Sequence, residues 1–158
     1  MSARWQGELV RLEACPEAVA WAQAYPTLQS AWDACERADW MLWLLARNGT
    51  DERTLRLCVC ACARTALPYV TPGDERPLRA IKAAERYAKG EGTREEMDAA
   101  GDAAVDAAGA AVGDAAVDAA RAAAGDAAWA ATGDAALKQM SALIRALVPT
   151  VALKRGGK

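Results

Sequence analysis

Read for the spacing of its apolar and polar positions, the chain is helical almost from end to end. It has no sustained two-residue alternation, and its β-branched residues are too scattered to form strand-like runs. Helix starts and stops are dense instead. Pro16 suits the first turn of a helix through about Ala24, and Pro26 with Thr27 opens another that reaches about Cys35. A third, "ADWMLWLLARN", stops at Asn48-Gly49. Thr50 is the expected N-cap of the fourth, because Asp51 and Glu52 then face the positive end of its dipole. That helix carries "LRLCVCACARTAL" and stops before Pro68. Asp74 is the expected cap of a fifth, where Pro77 is tolerated because first-turn amides have no intrahelical partner, and Lys89-Gly90 ends it. Thr93 and Glu96 form the T-x-x-E pattern of a capping box. The connections are short, so neighbouring helices are expected to pack antiparallel.

Beyond Thr93 the pattern changes. From Met97 to Ala136 the chain divides into ten tetrads of the form x-D-A-A, with Asp in seven of the ten second positions and Ala in every third. A four-residue repeat overshoots one helical turn by roughly 40°, so a straight helix would wind its Asp ridge around its own axis. Interior Gly costs about 1 kcal/mol relative to Ala, and like charges at i, i+4 repel. The segment is therefore read as helix bent or broken once near Gly109 to Gly113. An ordinary apolar stripe returns at Leu137, Met140, Ile144 and Leu147, and this end is expected to dock on the core. The fold class that follows is all-α: a compact antiparallel helical bundle with a long Ala/Asp-rich C-terminal helical segment. It is one domain over 1–158, with core helices in 1–92, the tetrad segment in 93–148 and a flexible tail in 149–158.

Composition sharpens this picture in three places. Phe is absent while Trp occurs six times, so Trp, Leu, Val and Met must fill the core. The formal net charge is only −2, yet the tetrad segment alone carries −6, leaving +4 on the rest. That balance argues against a surface built for nucleic acid as a direct ligand or for anionic lipid. The longest apolar run, "WMLWLLA", is far short of the roughly 20 residues of a membrane span. Five Cys in no disulfide framework, behind an N-terminal stretch without a signal-peptide core, point to reduced thiols in a cytoplasm.

Candidate chemistry is sparse. In "CVCAC", Cys58 and Cys62 share a helix face and are weak candidate metal ligands, because there is no C-x-x-C pair and no His in the chain. Cys60 falls with Arg53, Arg56 and Arg64 on the polar stripe and is the candidate reactive thiol, its pKa open to lowering by Arg56 and Arg64. The blander reading makes all of these small buried residues that let helices approach. On the fifth helix Arg79, Lys82, Arg86 and Lys89 fall in one arc, with Arg76 alongside. This stripe either docks an acidic partner or faces Asp98, Asp102 and Asp106 of the next helix. The acidic ridge, including Asp102, Asp106, Asp114 and Asp118, rises about 6 Å per repeat, near the phosphate spacing of a nucleic-acid strand, so mimicry is conceivable. Trp129, the one aromatic of the repeat, is an anchor into the core or a partner contact. Trp21, Trp32, Trp40 and Trp43 fall at core-like spacings. No catalytic constellation is legible, and no cofactor motif. An enzyme is not expected.

Three stretches, "ADWMLWLLAR", "DERTLRLCVCACARTALPYV" and "GDERPLRAIKAAERYAKGEGTREEM", together resemble immunity proteins of the immunity-five-like type from bacterial and phage toxin-immunity systems. The resemblance is strongest over residues 35–100. It implies an all-helical, non-catalytic protein that neutralises a protein partner, a toxin or effector, by direct contact of a helical surface. Two other readings stay open: a phage-encoded inhibitor of host defence, acting as an acidic nucleic-acid mimic or by capturing a small molecule, and a structural protein that self-associates into a homo-oligomer through its Ala faces.

Overall fold

The computed structural model describes residues 4–65, 67–70, 72–102 and 126–154, and among them every regular element is helical. The order is α1 (Arg4–Arg11), α2 (Pro16–Ala22), α3 (Leu28–Ala34), α4 (Ala38–Arg47), α5 (Glu52–Arg64), a 3₁₀ turn (Leu67–Tyr69), α6 (Arg76–Lys89), α7 (described over 94–102) and α8 (Asp126–Leu147). The all-α class is therefore established. The predicted bend near Gly109 to Gly113 lies outside the described residues, as do Asp106, Asp114 and Asp118.

Local chemistry sets most of the boundaries. Pro16 starts α2. Thr27 caps α3 in a reciprocal box: its hydroxyl accepts from Ser30 N at 3.1 Å, and Ser30 Oγ accepts from Thr27 N at 3.2 Å. The expected box at α7 is also formed, Glu96 N donating to Thr93 Oγ1 at 3.1 Å and Thr93 N to Glu96 Oε2 at 3.3 Å. At α6 the N-cap is Glu75, one residue after the expected Asp74, and it makes no side-chain cap bond; Asp74 Oδ1 still accepts from Arg76 N at 3.0 Å, satisfying a first-turn amide. Gly90, at φ 76°, ends that helix with Glu91 N returning to Arg86 O, a left-handed stop that suits glycine. The cap of α5 differs from the expectation. Asp51, not Thr50, takes the position, its carboxylate accepting from Thr54 N at 2.9 Å. Thr50 is used by the preceding stop instead, since its N–H returns to Leu45 O behind Gly49.

Helix α1 was not anticipated. It is short and holds Gly7, but Trp5, Leu9 and Leu12 recur at i, i+4 and i+7 and turn one face inward. It ends at Glu13, a non-glycine residue at φ 65°, with Ala14 N bonded to Leu9 O. A side chain in that region costs about 1–2 kcal/mol.

The core gathers Leu9, Trp32, Met41, Leu44, Leu45, Cys58, Cys62 and Ile144, with α5 packed on α6 and α8, and α4 on α8. Helix α8 runs unbroken through Gly133 and docks through Leu137, Met140, Ser141, Ile144 and Val148. Leu147, placed on this stripe by the sequence, is 45% exposed, because Val148 takes the inward position one residue later.

The tail is the largest correction to the domain plan. Through residue 154 it is held as an extended strap across the ends of α3 and α4. Gln29 donates to Pro149 O at 3.0 Å and accepts from Val151 N at 3.0 Å; Asn48 donates to Ala152 O at 2.7 Å and accepts from Lys154 N at 2.8 Å. Each amide side chain thus pairs with a donor and an acceptor two residues apart, as a neighbouring strand would. Val151 and Leu153 pack on the core between these anchors.

Candidate functional site

Helices α1, α2, α3 and α4 border one apolar cleft. Gln6, 4% exposed, fixes α1 by donating to Ala22 O at 3.3 Å and Tyr25 O at 3.1 Å, at the C-terminus of α2 and in the turn that follows it. Trp32 Nε1 donates to Val148 O at 3.0 Å and ties α3 to the end of α8. Between α1, α2, α3 and α4 this arrangement leaves a half-open cleft of about 530 Å³. Its walls carry Trp5, Trp21, Trp32, Trp40 and Trp43, five of the six tryptophans of the chain, with Leu9, Leu28, Met41 and Leu44 among them. Trp21 meets Trp40 edge-on at 5.8 Å between ring centroids, and Tyr25 stacks obliquely on Trp21 at 4.6 Å. Trp5 brings a buried indole N–H that has no hydrogen-bond acceptor among the described residues.

The mouth of the cleft is charged. Glu13, Glu17, Arg37 and Asp39 stand there beside the exposed Cys15. Arg37 grips Asp39 with two hydrogen bonds of 2.9 and 2.7 Å, approaches Glu17 at 3.7 Å, and lays its guanidinium 4.4 Å from the centre of the Trp40 ring. The hydrogen bonds from Arg37 hold the Asp39 carboxyl below its ordinary range, against the opposing effect of its partial burial.

Comparison with protein-family models, curated proteins and solved structures returns no match to this chain. The site must be read from its own geometry.

Sequence reasoning placed Trp21, Trp40 and Trp43 in the core. They are half-buried, packing against the core cluster on one side and lining the cleft on the other; among the described tryptophans only Trp32 is buried, at 2% exposed, and it too borders the cleft. Apolar spacing reports which side of a helix faces inward, but not whether the facing helices meet closely enough to fill the space between them. Trp5 was missed together with α1.

The cysteine cluster is buried throughout. Cys58, Cys60 and Cys62 are at most 7% exposed. Cys60 does not share the solvent face of Arg53 and Arg64. It lies between α5 and α6, with its sulfur 4.0 Å from Ile81 O. Arg64 is clamped by Glu85 in two 2.7 Å bonds. Burial therefore outweighs the nearby cations and pushes the Cys60 thiol up, with Glu85 adding to the effect, so Cys60 is not the activated thiol the arginines suggested. Burial raises Cys58 to about 11 and also raises Cys62. Among the described residues no group of three or more His, Cys, Asp or Glu is arranged to hold a metal ion, and none includes Cys58 and Cys62. No helix among them is long and apolar enough to cross a membrane.

The cationic stripe is exposed along its whole length, but much of its charge is answered nearby. Arg76 pairs with Asp74 at 2.8 Å, Arg79 with Glu75 at 3.1 Å, and Arg86 with Glu96 at 3.6 Å. Lys82 and Lys89 make no direct ion pair among the described residues, although both lie near enough to Glu85 to help hold its carboxyl below the ordinary range. Asp98 and Asp102 make no ion pair with the stripe among those residues. They border a shallower groove of about 440 Å³ with Arg56, Val59, Ala80 and Ala84. Trp129 lies on α8, and its side chain is outside the described residues.

Proposed function

We propose that this protein is a non-enzymatic binding protein that neutralises an effector by direct contact, and that the tryptophan-lined cleft is where the effector is held. The observation that carries this reading is the gathering of five tryptophans around one half-open cleft, four of them only half-buried. A volume of about 530 Å³ lies within the roughly 300–1,000 Å³ of sites that engulf a small molecule or a knot of side chains. Large rings at a concave apolar surface are also the residues that dominate binding energies when a partner covers them. The likeness of "ADWMLWLLAR" and the two stretches after it to immunity proteins supports the neutralising role, and that first stretch contributes Asp39, Trp40, Met41, Trp43 and Leu44 to the cleft. The test is protection. Cells carrying the chain should survive the toxic product of an adjacent gene, and Trp21→Ala with Trp40→Ala should abolish survival while the variant stays folded by circular dichroism. Undiminished protection would remove the cleft from the contact.

A second surface has its own support in the exposed Lys82 and Lys89 of α6, which make no direct ion pair among the described residues and share only the more distant Glu85, itself clamped by Arg64. On this reading the cationic stripe docks an acidic protein surface. Lys82→Glu with Lys89→Glu should then slow association and flatten its salt dependence, since unpaired surface charge acts mainly on the rate of encounter. Equal association rates for the variant and the parent would dismiss it.

A further inference from the structure

We infer that the cleft is selective for a small organic cation: a positively charged nitrogen carried on an apolar or aromatic body. The inference rests on the cleft being the binding site, and it adds the chemical class of what enters. Three observations converge on it. The first is the lining itself. Three carboxylates, Glu13, Glu17 and Asp39, border the cleft against the single guanidinium of Arg37. That guanidinium is bidentate to Asp39, which leaves Glu13 and Glu17 to face the mouth with only a 3.7 Å approach from Arg37 to Glu17. An apolar wall with excess negative charge at its rim focuses a field that favours cations and repels anions.

The second observation is that the aromatic wall already holds a cation. Arg37 sits 4.4 Å over Trp40, within the roughly 6 Å at which a ring quadrupole attracts positive charge. Arg37 acts as a tethered stand-in that shows the ring environment accepting a cation, while Trp5, Trp21 and Trp43 of the same cleft are not engaged in this way among the described residues. The third is Glu13. It sits at φ 65°, a conformation that glycine would adopt without penalty, yet the position is occupied by a carboxylate at the rim of the cleft. What enters is one compact cationic group rather than an extended peptide, because the cleft has the volume of a single small-ligand site.

The experiment is calorimetric titration of the purified full chain, at low ionic strength, with three probes that share one aromatic body: naphthylmethyl-trimethylammonium, naphthylmethanol and naphthylacetate. The expected result is that the ammonium binds about tenfold tighter than the alcohol, the order of one desolvated cation–aromatic contact, and that the acetate binds weakest. The variant Glu13→Gln with Glu17→Gln should bring the ammonium-to-alcohol ratio close to one. Its retained affinity for naphthylmethanol shows that the cleft is still formed. Arg37→Met should strengthen ammonium binding about two- to fivefold by freeing the face of Trp40 and a carboxylate at once. Equal affinity for all three probes would overturn the cation selectivity and leave an apolar binding cleft. A preference that persists unchanged in the Glu13→Gln, Glu17→Gln variant would also overturn it, because the rim would then not be its source. Absence of binding by every probe would remove the cleft as a small-ligand site, and this proposal with it.

Discussion

At the scale of single residues, the five cysteines show how burial overrides neighbouring charge. Cys58, Cys60 and Cys62 follow one another at two-residue intervals, which on a helix should expose at least one. All three are buried, because α6 and α8 cover different faces of α5. Only Cys15, at the mouth of the cleft, is exposed. A thiol-specific chromogenic reagent at neutral pH should therefore titrate one thiol rapidly in the native protein and all five after unfolding, and a second fast thiol would contradict the packing of α5. The same burial predicts a pH dependence. Burial raises the Cys58 pKa from 9.0 to about 11, so between those values the unfolded chain releases a proton that the folded chain keeps. The stabilisation is complete below pH 9.0 and is lost as the pH rises towards about 11. Denaturant midpoints measured across that window should fall with pH, and Cys58→Ala should show a shallower fall than the parent. Parallel slopes in the two proteins would show that Cys58 does not carry the effect.

At the scale of elements, the helices were legible wherever a start or stop signal is local. The box of Thr93 and Glu96, Pro16 at the head of α2 and Gly90 at the end of α6 all sit where the sequence places them, since each acts within four residues of itself. The strap over 148–154 was not legible. Its anchors, Gln29 and Asn48, lie more than 100 residues away and carry no signal in isolation. Their four hydrogen bonds are partly exposed, so each contributes at the lower end of the usual 0.5–1.5 kcal/mol. Gln29→Ala with Asn48→Ala should cost about 1–3 kcal/mol and should speed amide exchange at Val151 and Lys154, whose N–H groups those side chains accept. Unchanged exchange at both amides would show that the packing of Val151 and Leu153 alone holds the strap.

At the scale of the whole molecule, the division of labour among the tryptophans separates what holds the fold from what the fold presents. Trp32 is 2% exposed, donates its indole N–H to Val148 O and belongs to the central cluster. Trp40 packs against that cluster but keeps part of its surface at the cleft, where Arg37 covers it. Trp32→Ala removes a filled volume and leaves the part-buried Val148 carbonyl without its donor, which places the loss at about 3–5 kcal/mol. Against a total stability of about 5–15 kcal/mol, such a variant is close to unfolding. Trp40→Ala enlarges a space that is already open on one side, so less contact is lost and its cost should be about 1–2 kcal/mol. Urea denaturation of the two variants measures the difference directly. If Trp32→Ala lowers the midpoint at least twice as far as Trp40→Ala, the cleft wall is a surface that the fold can spare, as a binding site requires. If the two losses are equal, Trp40 is a core residue, as its sequence spacing suggests, and the cleft is a packing defect with no claim on a ligand.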